Sequence, residues 1–238
     1  MVSWLEKKKK QLSDSSELDF QLNIESLNEA QRKAFDIVMN HERNPNEQLF
    51  LMITGLAGSG KSYLINSIRA LLKEKCVVSA YFGIAAFNIK GKTLHSLLNL
   101  PIQGKNLHDL KGPALLRLQE KLNGVKYIII DEFSVIGLNL LGWIDKRCRQ
   151  GTGDSDIPFG GISIILVGDI AQLPPVGDLV LYHKKPKGEV GTMGFCMYRK
   201  FTKVVKLTVN ERSKGENLEM EIQMRKTGIC FYLEPLLI

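Results

Sequence analysis

Leu49-Phe50-Leu51-Met52-Ile53-Thr54 runs directly into Gly55-Leu56-Ala57-Gly58-Ser59-Gly60-Lys61-Ser62, after which Leu64, Ile65, Ile68, Leu71 and Leu72 recur at helical spacing. The apolar run Leu49 to Ile53 is the length of a buried strand. The later residues put one apolar face on a helix. Between the two stands G-x-x-x-x-G-K-S, in the strand, loop, helix order that this motif needs. Its glycines let backbone amides turn inward to cradle phosphates, Lys61 reaches the terminal phosphates as a point charge, and the Ser62 hydroxyl is a ligand for magnesium. The helix aims its N-terminus at the same anion. The stretch predicts a site for ATP with Mg2+.

Further apolar runs of strand length follow at Val77 to Tyr81, Tyr127 to Ile130 and Ile162 to Val167, with helical segments between them. Strands alternating with helices give an α/β fold whose parallel sheet is covered by helices on both faces. Upstream, Ser26-Leu27-Asn28-Glu29 reads as a capping box opening a helix that runs to about His41, and Asn44-Pro45-Asn46 breaks it. Residues 1–25 carry Lys7 to Lys10 among serines without an apolar period, which predicts a mobile basic leader. Gly151 to Gly161 and Lys184 to Gly194 read as surface loops.

A chain of 238 residues holds one large α/β domain, or one domain and the opening of a second. No apolar run reaches membrane-spanning length, and no signal-peptide core follows the lysines, so an intracellular protein with no membrane partner is expected. The net charge of +7 favours polyanionic partners. Cys76, Cys148, Cys196 and Cys230 form no C-x-x-C pair, which argues for reduced, mostly buried thiols over zinc or disulfides.

Ile128-Ile129-Ile130-Asp131-Glu132 ends an apolar strand in two carboxylates. Asp131 suits the magnesium shell, and Glu132 can orient and deprotonate an attacking water. A kinase substrate brings its own nucleophile, so the glutamate favours hydrolysis. Gly168-Asp169 follows the next strand and leads to Gln172-Leu173-Pro174-Pro175-Val176. Ligands sit at that edge of an open α/β sheet, which places Gln172 to sense a γ-phosphate by hydrogen bonding; a plain surface turn is the alternative.

Taken together, Gly55 to Ser62, Gly83-Ile84-Ala85-Ala86 with Lys92-Thr93-Leu94-His95-Ser96, Ile130 to Ser134, and Gly160-Gly161 through Gly168-Asp169 to Val176 resemble the petite-integration-frequency (Pif-type) DNA helicases of superfamily one, over roughly Leu27 to Gly228. The resemblance implies a RecA-like P-loop ATPase domain over 26–200 and the start of a second RecA-like lobe over 201–238. It makes Lys61, Asp131, Glu132, Gln172 and Arg212 catalytic, with Ser62 and Asp131 on the metal. It adds Gln31 as the adenine contact, although that residue reads equally as a helix-surface glutamine. Gly83, Ala85, Ala86, Thr93, His95 and Ser96 would follow the DNA backbone, where small residues allow close approach and hydroxyls bond phosphate. On the residues alone, Ala85 and Ala86 read as core and His95 as a capped surface histidine.

The activity so implied is ATP-dependent 5′ to 3′ DNA unwinding in repair, recombination and telomere maintenance, by a monomer acting on single-stranded or forked DNA, in the nucleus or the mitochondrion. Phe82 stands where the family usually has threonine, Lys90 and Lys92 occupy small positions, and Ser213 replaces a glutamine. Ile229 to Ile238 has no family counterpart, and the expectation is a C-terminally truncated chain. A fragment that binds ATP and single-stranded DNA without turnover, and an unrelated P-loop ATPase or kinase, are the alternative readings.

Overall fold

The computed structural model describes residues 24–100 and 108–211. The leader before residue 24, Arg212 and the chain after it lie outside the described residues.

The helices are α1 Glu29–Arg43, α2 Lys61–Leu72, α3 Gly83–Asn88, α4 Leu94–Leu98, α5 Gly112–Leu122, α6 Leu138–Thr152 and α7 Gly188–Tyr198. The strands are β1 Phe50–Gly55, β2 Cys76–Ala80, β3 Lys92–Thr93, β4 Tyr127–Asp131, β5 Ser163–Gly168 and β6 Lys203–Leu207. They form one sheet in the order β3-β2-β4-β5-β1-β6, with every pairing parallel. The two-residue period of a strand decides the layering. Ile128 and Ile130 of β4 join Met52, Ile164 and Leu166 under α4 to α7, whereas Ile129 joins Leu51, Ile53, Ile165 and Val167 under α1 and α2. Each such fully buried side chain contributes about 1.5 to 3 kcal/mol.

Five expectations need correction. The sheet continues to Leu207, past the boundary set at residue 200, because β6 hydrogen-bonds alongside β1 from Leu51↔Lys203 to Gly55↔Leu207. The capping box is present two residues late: Asn28 is the N-cap, Gln31 answers it, and Ser26 instead bonds the Tyr63 hydroxyl. The stretch read as a loop from Lys184 becomes α7, whose glycines are packing residues. A Cβ at Gly194 would lie 1.8 Å from Leu138 O, and one at Gly142 2.3 Å from Val190 O, so glycine is what lets α6 and α7 approach. Within Gly151 to Gly161, Phe159 is fully buried and its amide donates to the buried Asp145 at 2.6 Å. Among the described cysteines, Cys148 is buried, Cys76 is partly so and Cys196 is exposed, which departs from mostly buried thiols.

The loop after Pro175 is tied to α6 by a carboxylate. Gly137, at the α6 N-cap, has no side chain, and Asp178 supplies the missing acceptors for Asn139 N at 3.1 Å, Asn139 Nδ2 at 2.8 Å and Leu140 N at 3.0 Å. An anionic cap at a helix N-terminus also meets the positive end of the macrodipole. Asp178→Ala is expected to cost about 2 kcal/mol, read as a lower urea midpoint at constant slope. An unchanged midpoint would show that water serves these amides equally well.

Candidate functional site

Because all the strands run parallel, their C-terminal ends lie on one edge, and every loop with chemistry in it leaves from there. β1 feeds the glycine loop, its neighbour β5 feeds Asp169 to Gln172, and β4 feeds Asp131 and Glu132. Sequence-distant groups are thereby brought together by strand order alone.

At α2, Gly60 is the N-cap in the left-handed region (φ 78°), with no side-chain cap. The first-turn amides are therefore left for an anion. Lys61 Nζ donates to Gly55 O at 2.7 Å and Leu56 O at 2.9 Å, which parks the ammonium on the loop's own carbonyls. Gly55 is constrained by contact: a Cβ there would meet Ser59 Oγ at 2.5 Å and Leu207 Cβ at 2.8 Å. The Ser59 hydroxyl is buried without a protein partner. Ser62, the candidate metal ligand, is exposed at the start of α2.

Asp131, only 6% exposed, accepts from Glu132 N at 2.9 Å. Burial, and then the adjacent Glu132 charge, push its carboxyl up to about 6, opposed by that backbone hydrogen bond and by Lys61. Glu132 holds a left-handed backbone (φ 57°, ψ 46°), unusual for a residue with a side chain. The turn depends on Gly168 of β5, where a Cβ would lie 2.9 Å from Phe133 N and 3.4 Å from Glu132 Cα. Gln172 is exposed on a turn set by Asp169, whose carboxylate accepts from Ala171 N at 3.0 Å and whose carbonyl accepts from Gln172 N at 3.1 Å. Glu132 and Gln172 line one cavity of about 770 Å³ with Phe82, Ile84, Ala85 and Leu173.

The segment expected to follow DNA is split by burial. Gly83 is open to solvent and Ser96 is exposed, whereas Ala86 is 3% exposed and packs in the core, as its residue type reads on its own. Thr93 Oγ1 accepts from Ser96 N at 3.2 Å as the cap of α4. His95 is half-buried, edge-on to Tyr81 with ring centroids 5.2 Å apart, and burial lowers its pKa. Phe82 and Ile84 stand out instead, 46% and 80% exposed, and Lys90 and Lys92 are exposed as well.

Gln31 is not a surface residue. It is 2% exposed, its Oε1 accepts from Asn28 N at 3.1 Å, and its Nε2 donates to Ser59 O at 3.1 Å. Asn28 and Glu211 were not singled out in the sequence. The N-x-x-Q spacing could have identified Asn28, while the contact of Glu211 across 183 residues has no local signal.

A family model described as PIF1-like helicase matches residues 26–227. The ATP-dependent DNA helicase RRM3 of Saccharomyces cerevisiae is 32% identical over 186 residues, covering 73% of this chain and 24% of that protein. Among solved structures, Pif1 from Bacteroides sp in complex with ADP-AlF4 superposes with a TM-score of 0.65 at 29% identity, covering 84% of this chain and 45% of that one. Bacteroides Pif1 bound to ssDNA gives 0.62 at 25% identity, covering 89% and 49%. The chain thus spans about a quarter of the yeast relative and just under half of these solved chains.

Proposed function

The chain belongs to the PIF1-like helicase family, and from that membership we propose that it is the nucleotide-binding lobe of an ATP-dependent DNA helicase moving 5′ to 3′ on single-stranded or forked DNA. One observation carries the mechanical part of the reading. Glu132 and Gln172, the groups that would attend the γ-phosphate, share a cavity wall with Phe82, Ile84 and Ala85 of the segment that would attend DNA. A change at either side of that cavity has a short path to the other.

The residues present fit a magnesium nucleotide. The uncapped start of α2 and the ammonium of Lys61 form an anion cradle. Ser62 and Asp131 would hold the metal, a sparse oxygen set of the kind suited to magnesium that takes its remaining ligands from phosphate and water. Bound ATP would supply the scissile phosphoanhydride, and magnesium held by these residues would offset part of its charge. Lys61 leaves the carbonyls of Gly55 and Leu56 for phosphate oxygens. Glu132 holds the attacking water and takes its proton on a carboxylate oxygen. The Gln172 amide donates toward the terminal phosphate and reports its presence to the shared cavity. Arg212, outside the described residues, would supply positive charge when a second lobe closes.

The DNA half of the reading is tested by anisotropy of a labelled single strand titrated at several salt concentrations. Measurable binding at low salt is expected, and none would remove that half. Lys90→Gln with Lys92→Gln should flatten the plot of log affinity against log salt by about 0.7 for each DNA phosphate that the pair had neutralised. An unaltered slope would place the strand elsewhere.

A further inference from the structure

A closed path of hydrogen bonds runs around the outside of the glycine loop. Asn28 Oδ1 accepts from Gln31 N at 2.9 Å, and Gln31 Oε1 accepts in return from Asn28 N at 3.1 Å. Gln31 Nε2 then reaches Ser59 O at 3.1 Å. On the other side, Asn28 Nδ2 donates to Glu211 Oε1 at 2.8 Å, and Glu211 N donates to Gly58 O at 2.9 Å. Gly58 and Ser59 are consecutive, so the path closes on itself. It joins the start of α1, the loop and the segment leaving β6. Gly60 is enclosed by the same groups: a Cβ there would lie 2.3 Å from Gln31 Nε2 and 3.7 Å from Glu211 Cγ.

We propose that this ring is a positioning device in which Asn28 and Glu211 hold the glycine loop ready for phosphates and link its occupancy to the segment leaving β6. The inference rests on the reading of that loop as a nucleotide site. A peptide unit is planar and trans, so its N–H points opposite to its C=O. Holding Gly58 O and Ser59 O therefore sets the direction of the Ser59 amide, which donates to Leu56 O at 3.2 Å, and of the Gly60 amide. Gly58 and Gly60 have φ of 87° and 78°, and an unrestrained glycine samples such conformations among many others. Ordering them before the ligand arrives removes their conformational entropy cost from binding. Arg212 follows Glu211 directly in the chain, so whatever moves the loop carbonyls pulls on the peptide before it.

The test uses a fluorescent ADP with magnesium, titrated into the 238-residue chain, with Lys61→Ala as the control for the loop itself. Asn28→Asp keeps the oxygen that caps α1 but removes the donor and sets a second carboxylate against Glu211. Its affinity is expected to fall about tenfold. Adding Glu211→Gln returns a donor from the opposite side, and the Asn28→Asp/Glu211→Gln pair should recover to within about threefold of the wild type. A purely structural role would change the urea midpoint and leave this exchange without effect on affinity. Wild-type affinity in Asn28→Asp, or no recovery in the exchanged pair, would overturn the ring while wild-type binding and its loss in Lys61→Ala leave the nucleotide reading standing. No binding by the wild type would overturn both.

Discussion

Lys61→Ala is expected to weaken nucleotide binding by about a hundredfold while leaving the fold intact. Two charge-assisted hydrogen bonds to phosphate, each worth about 1.5 to 3 kcal/mol, account for a loss of that size or more. The stability side follows from where the ammonium rests. It donates to Gly55 O and Leu56 O, which are held in a loop anchored elsewhere through Gly58 O and Ser59 O. Removing it leaves carbonyls that water can reach by the space vacated. Calorimetric titration of ADP with magnesium beside a urea melt separates the two effects. Unchanged affinity would reject the assignment of the loop, and a collapsed melt would show that Lys61 is a structural residue.

Glu132→Gln should slow ATP turnover by a factor of about 10² to 10⁴, the usual contribution of a positioned general base. Nucleotide affinity should stay within a few-fold, because the substitution removes only the ability to accept a proton. Glutamine fits the same volume and meets the same strain at φ 57°, so the turn that leads into the buried Phe133 is retained. Single-turnover hydrolysis and equilibrium binding on the same preparation give both numbers. Normal turnover would remove Glu132 from the proton-transfer step and leave Asp131, with its carboxyl raised by burial, as the neighbouring carboxylate to test next.

The parts of the fold legible in the sequence were those in which composition and period agreed. The run from Leu49 through Lys61 to Leu72 gave strand, loop and helix in order, and Ile128 to Glu132 gave a buried strand with its carboxylates at the edge. The misread parts share a physical cause: the same residue type serves two ends. Glycines in α7 looked like loop punctuation because their other use, close helix contact, is visible only once Leu138 and Gly142 are opposite them. Ser26 and Asn28 are both good caps, and the reciprocal Gln31 decided between them. The strand β6 was missed because Lys203 and Lys206 are exposed at the sheet's edge and break up its apolar run, and its partner β1 lies far upstream. In the site, the candidate phosphate and metal groups were found by motif and the burial of Ala86 by residue type, whereas the partners of Gln31 are set by tertiary packing.

The central claim is that this edge of the sheet couples hydrolysis of ATP to a DNA strand. Steady-state ATP hydrolysis by the 238-residue chain, with and without single-stranded DNA and beside Lys61→Ala, tests it most directly. The account predicts turnover above that blank, raised further when the strand is added. A rate equal to the blank in both conditions, from a chain that still binds the nucleotide, would contradict it.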